Sequence, residues 1–160
     1  MASSAPQNFK YHSGPALKEI SRLATDSKTW VAGQPYKYAA AGTVEPCATD
    51  DVTIKGIFAA DQSASTSSST VTVLEIVDSA TRFIGYVSSD ASDAAAAATD
   101  RDGIYGIQVD GTVSTVNKNE TTAVAVKVVD LYHDVETGKA AVADSPGRVI
   151  FRVLAAALDA

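Results

Sequence analysis

The sequence predicts an all-β protein: a single β-sandwich or β-barrel domain with long loops, at most one short helix and an extended N-terminal arm. Three observations carry this. The 160 residues include 18 Val, 15 Thr and 8 Ile against only 6 Leu, and β-branched side chains lose rotamer freedom in a helix but pack well on a pleated surface. Of the 19 acids, 14 are Asp and 5 are Glu, a surplus of the turn and cap residue over the helix former. Short β-branched runs recur between turn signals roughly every 10 to 15 residues, giving about eight to ten strands, as in a sandwich or barrel. A chain of this length buries about 70% of the surface it exposes when unfolded, so one core suffices without disulfides or metal.

In chain order, residues 1–14 are polar, contain Pro6 and Gly14, and place Phe9, Tyr11 and His12 at irregular intervals. They read as an arm, taken to extend over 1–28, with the β domain over 29–160. Within 15–27, Leu17, Ile20, Leu23 and Ala24 have helical spacing behind Pro15, but an edge strand around Ile20 fits as well and is preferred. Trp30, Val31, Gly33, Gln34, Pro35, Tyr36 and Tyr38 form an aromatic stretch broken by a Gly and a Pro, a turn entering a short strand. Val52, Ile54, Gly56 and Phe58 alternate with Thr53, Lys55 and Ile57, with Gly56 placed for a bulge or a close backbone contact.

Residues 61–69 are almost wholly Ser, Ala and Thr, a loop with no anchor. Residues 70–77 and 81–87 are strands joined at Asp78-Ser79-Ala80, and read as a hairpin. Asp93 caps at most two turns of helix through the 94–98 alanine run. A strand from Ile104 turns at Asp110-Gly111, a strong hairpin signal, and returns over 112–116. Residues 117–120 turn again, 122–129 alternate Ala and Val with Thr and Lys127, and 132–144 are a polar excursion. After Ser145-Pro146-Gly147, Val149, Phe151 and Val153 alternate with Arg148, Ile150 and Arg152.

Composition excludes several functions. A net charge of -6 opposes general binding to a phosphate backbone. No run of 18 apolar residues exists to span a membrane, and residues 1–14 lack the pattern of a secretory signal. A single cysteine, Cys47, excludes an internal disulfide framework and points to folding in a reducing cytoplasm. It lies between Pro46 and Ala48 without a thiolate-stabilising neighbour, so it reads as a passive small residue.

No catalytic set emerges. The only histidines are His12 and His133; His133, near Asp130, Asp134 and Glu136, has the composition of an acid–base or cation site, but the reading as a solvated loop is strongly preferred. Asp100-Arg101-Asp102-Gly103 echoes the opening of a calcium loop, yet the rest of the twelve-residue pattern fails for want of a closing Glu. Asn119-Glu120-Thr121 fits a glycosylation sequon and reads as a hairpin turn. Glu75, the one acid inside an apolar run, is expected on the solvent face or paired with Arg82 or Lys127. These readings leave a binding or structural protein, with no enzymatic activity and no cofactor.

Four stretches, taken in order, resemble head decoration (cement) proteins of tailed bacteriophages: Gly33-Gln34-Pro35-Tyr36, Ile54-Lys55-Gly56-Ile57-Phe58-Ala59, Gly103-Ile104-Tyr105-Gly106-Ile107 and Val149-Ile150-Phe151-Arg152-Val153-Leu154. The resemblance implies a β-tulip-like domain that binds the outer surface of the virion capsid as a homotrimer, at three-fold or quasi-three-fold points. There it would tie major capsid protein subunits together, with no nucleic acid, membrane or cofactor involved. On this reading the arm makes the capsid contact through Gln7, Phe9, Lys10, Tyr11 and His12, ordering or adding a strand on a coat subunit. Deleting 1–14 should then abolish binding and leave the β domain folded. Two other functions are compatible with the residues: a carbohydrate- or receptor-binding module using Trp30, Tyr36 and Tyr38 as a stacking platform, and a small hydrolase centred on His133 and Asp134.

Overall fold

The computed structural model describes residues 8–66, 68–88, 98–132 and 147–160. They form two antiparallel sheets packed face to face. The first has six strands in the order β1 (Lys10–Ser13), β7 (Arg82–Tyr86), β11 (Arg148–Val153), β10 (Val126–Leu131), β8 (Ile104–Asp110) and β9 (Val113–Asn117). The second has five, in the order β2 (Lys18–Leu23), β6 (Thr70–Glu75), β5 (Gly56–Phe58), β3 (Pro35–Tyr38) and β4 (Val44–Pro46). The sheets do not close into a barrel, so the all-β expectation holds and the sandwich is the form it takes. One short helix, α1 (Ala155–Asp159), follows β11, and a 3-10 turn spans Ala98–Asp100.

Alternation decides which side of each strand is buried. In β11, Val149, Phe151 and Val153 are buried and Arg148, Ile150 and Arg152 point outward, as the sequence pattern requires. Opposite them in β7, Gly85 pairs with Val149 and Phe83 with Phe151, and directly opposed residues share a face. These residues meet Ile54, Ile57 and Ile76 in the core between the sheets. The β8–β9 hairpin forms at the expected place, with Gly111 at φ +63° supplying the first of two loop residues, a conformation costly for any residue with a Cβ.

Strand β5 is buried at all three positions, because the five-stranded sheet is covered on both faces. Ile57 joins the core between the sheets, while Phe58 joins Ala24, Trp30, Tyr36, Val44 and Val73 in a second cluster on the other side. Trp30 stacks on Phe58 with ring centroids 4.0 Å apart and donates its indole N–H to the Ala60 carbonyl at 3.0 Å. Burying side chains of this size stabilises by about 1.5–3 kcal/mol each, enough to fasten the 24–34 and 59–66 segments over the sheet.

Several expectations are corrected. The arm proposed for 1–28 does not exist over 8–28: β1 pairs with β7, β2 pairs with β6 along its whole length, and Phe9 is 3% exposed. Burial of the Phe9 ring outweighs the lack of sequence periodicity around it. The strand preferred over a helix at 15–27 is β2, an edge strand as foreseen. Strands β6 and β7 do not make a hairpin, since they lie in different sheets. Val71 and Val73 pack in the outer cluster and Phe83 in the central core, so the turn at 78–81 carries the chain from one sheet to the other.

The 61–69 loop is anchored after all. Ser65 is buried, its hydroxyl donating to the Thr25 carbonyl at 2.6 Å and accepting from the Lys28 N–H at 3.0 Å. A hydroxyl in a polar run carries no periodic signal, which is why composition hid it. The helix expected after Asp93 lies outside the described residues. Helix α1 was not foreseen; Ala157 is buried in it, and the Lys55 ammonium donates to the carbonyls of Leu158 and Ala160 at its end, where a cation is favoured.

Candidate binding surface at the first strand

Residues 8–14 are held by their own side chains and backbone. Asn8 copies a strand partner: its amide donates to the Thr112 carbonyl at 2.8 Å and its carbonyl accepts from the Ser114 N–H at 2.7 Å. The Phe9 N–H donates to the Gly33 carbonyl at 3.2 Å, and the Phe9 ring meets Phe151 edge-on, centroids 4.7 Å apart. Lys10 then pairs with Ile84 and Tyr11 with Phe83, before a bulge displaces His12 and restores pairing at Ser13–Arg82.

Tyr11 therefore shares the inward side of Phe83, but β1 is the terminal strand of its sheet and leaves the tyrosine 44% exposed. Its hydroxyl donates to the Gly14 carbonyl at 2.6 Å, fixing the ring. Beside it opens a cleft of about 540 Å³ lined chiefly by apolar groups, among them Phe9, Val31, Ile57, Phe58 and Leu74. An edge strand with an exposed aromatic over an apolar cleft is a surface suited to strand addition or to a hydrophobic side chain from a partner.

Of the five residues named for partner binding, Lys10, Tyr11 and His12 are exposed along β1, with Lys10 on the outward face of the sheet and Tyr11 on the inward one. Phe9 is instead a core residue and faces no partner, and Gln7 lies outside the described residues. His133, Asp134 and Glu136 also lie outside them. Trp30 and Tyr36 are 1% and 0% exposed, so they cannot present ring faces to a sugar; Tyr38 is half-buried.

Glu75 pairs with neither Arg82 nor Lys127. It accepts from the Tyr38 hydroxyl at 3.2 Å, which in turn accepts from Arg22 Nε at 3.1 Å; the hydrogen bond to Tyr38 holds the Arg22 guanidinium above its ordinary pKa. Cross-strand distance within the five-stranded sheet, not sequence, decides this partner. In the calcium-like stretch, Asp100 bonds Lys118 at 3.0 Å, both side chains 8% exposed, and Asp102 lies 3.8 Å from Lys127. Nothing in the sequence linked Asp100 to Lys118. Among the described residues no three His, Cys, Asp or Glu side chains gather as a metal site, and no helix is long and apolar enough to cross a membrane.

The Glu120 carboxylate, expected in a turn, accepts from the N–H groups of Ala123 and Thr122 at 2.7 and 2.6 Å, and these bonds hold its pKa below the usual value. Cys47 is buried, its thiol donating to the Thr53 carbonyl at 3.3 Å, and burial pushes its pKa well up. Alkylating reagents at pH 8 are expected to label Cys47 only after denaturation. The unfolded thiol ionises near pH ~8.5, so above that the unfolded chain binds fewer protons than the native one. Stability should then fall by up to about 1.4 kcal/mol per pH unit, and Cys47→Ala should remove that component of the alkaline slope in urea titrations.

These features define an antiparallel β-sandwich with a pre-ordered, partly apolar edge. Comparison with protein-family models, with characterised proteins and with solved structures finds no match to the chain.

Proposed function

We propose that this protein is a structural component of a tailed-phage virion that decorates the outer surface of the capsid and reinforces contacts between major capsid protein subunits. In this reading it acts as a homotrimer at three-fold or quasi-three-fold positions and catalyses no reaction. The observation that supports it best is the edge at β1, where Lys10, Tyr11 and His12 are exposed on a strand whose root, Phe9, is locked in the core. A contact surface ordered in advance binds with less entropic cost than a free arm, and three copies on one lattice add avidity. The order of the four resembling stretches supports the same reading, and each overlaps a framework strand: Pro35–Tyr38, Gly56–Phe58, Ile104–Asp110 and Arg148–Val153.

The test is co-sedimentation with emptied, expanded capsid shells. The protein is expected to run as a trimer in sedimentation analysis and to pellet with shells at saturable occupancy. Tyr11→Ala should weaken shell binding by about tenfold, the scale of one aromatic anchor, without altering the circular dichroism spectrum. Undiminished binding by Tyr11→Ala would reassign the contact, and failure to pellet with any shell would end the capsid reading.

A further inference from the structure

The outward face of the six-stranded sheet carries a feature that its alternation pattern alone does not require. Lys127 on β10 lies directly opposite Arg152 on β11, and Arg152 directly opposite Arg82 on β7. Three cations thus stand side by side on adjacent strands, around a hollow of about 360 Å³ that Ser79, Ala80, Asp102 and Val129 also line. Lys10, opposite Ile84, and Arg148, opposite Tyr86, continue the same face. Five of the chain's 13 Lys and Arg are collected here, although the net charge is -6.

Like charges placed directly opposite one another destabilise a sheet, and Thr or Val at these positions would suit a strand better. Among the described residues, the carboxylate paired with this row is Asp102, one acid against three cations. Asp102, itself 84% exposed, lies 3.8 Å from Lys127, and Asp130 pairs with Arg101 at 2.8 Å. Half-buried Ile84 and Ile150 lie beside the cations on the same face. Arginine forks interleaved with aliphatic side chains are the composition of a protein-binding surface, and the guanidinium fork matches a carboxylate in two-point geometry.

We propose that the outward face of β7, β10 and β11 is a docking surface for an acidic protein partner, whose carboxylates engage Arg82, Lys127 and Arg152. Charge complementarity selects that partner. A nucleic acid would meet the chain's overall negative charge along its length, whereas an acidic protein patch need only match this one face. The inference goes beyond the capsid reading and does not depend on it, since any partner with an acidic, partly apolar surface fits.

A fluorescent peptide alternating glutamate and leucine serves as the probe, with anisotropy as the readout. It is expected to bind with an affinity that falls as salt rises, and the double variant Arg82→Thr/Arg152→Thr should weaken binding at least about tenfold. Lys18→Ala, on the edge of the other sheet, should leave it unchanged. The double variant should also unfold at an equal or higher urea concentration, because the like-charge contact is gone; this separates loss of the surface from loss of the fold. Binding that ignores both variants, tighter binding of a charge-matched DNA oligonucleotide, or self-association of the chain that the double variant abolishes would each overturn the proposal.

Discussion

Phe9→Ala is expected to lower stability by about 3 kcal/mol, read as a shift in the urea midpoint without a change in its slope. The ring is 3% exposed and packs against Phe151. Its seat also depends on Gly85: a Cβ there would stand 2.7 Å from Phe151 Cε1 and 2.9 Å from Phe9 Cδ1. Removing the ring leaves a cavity at the junction of β1, β7 and β11 and releases the strand that carries Tyr11. Phe9→Leu, which keeps most of the volume, should lose far less. An unchanged midpoint for Phe9→Ala would mean that residues 8–14 are an arm after all. For the same reason, deletion of 1–14 is now expected to destabilise the sandwich, because it removes β1 and Phe9 together.

Gly56→Ala is expected to cost about 3 kcal/mol or more and to leave little soluble folded protein. A Cβ at Gly56 would lie 2.1 Å from the Leu74 carbonyl oxygen, 2.8 Å from Tyr36 Cε1 and 2.9 Å from Glu75 Cα. Two of these three atoms are backbone, held in the β5–β6 ladder by the Gly56–Glu75 and Ile57–Leu74 pairs, so relief requires parting the strands. Overpacking of a core normally costs about 1–3 kcal/mol, and rigid neighbours put this site at the upper end. Gly42→Ala is the comparison: Gly42 has φ +83° but nothing within 4 Å of a Cβ, so only backbone strain of about 1–2 kcal/mol applies. Equal midpoints for the two variants would contradict the crowding argument.

Both predictions show where sequence reasoning reaches and where it stops. Period-two alternation placed β11 residue by residue, and Asp110-Gly111 placed the β8–β9 turn, because these signals are local. Gly56 was legible as a position needing a small residue, though not what it would touch. The hairpin assigned to β6 and β7 failed because adjacent strands in sequence pair only if their buried faces meet the same core. Phe9 was misplaced for a related reason: one aromatic without periodic neighbours has no local sign of burial. Of the candidate edge, Lys10, Tyr11 and His12 are exposed while Phe9 is not, and the cleft beside them is assembled from Val31, Ile57 and Leu74, distant segments that no spacing connects.

Composition and alternation were sufficient to determine an all-β chain, since side-chain branching and the two-residue repeat of a strand act within a few residues, but not the second cluster around Trp30 and Phe58. Tertiary structure alone decided which strands share a sheet, that Trp30 and Tyr36 are buried rather than displayed, and that Arg82, Lys127 and Arg152 stand in one row. Each of these depends on packing between segments far apart along the chain, where the free energy of burying a face, not the preference of any residue, selects the arrangement.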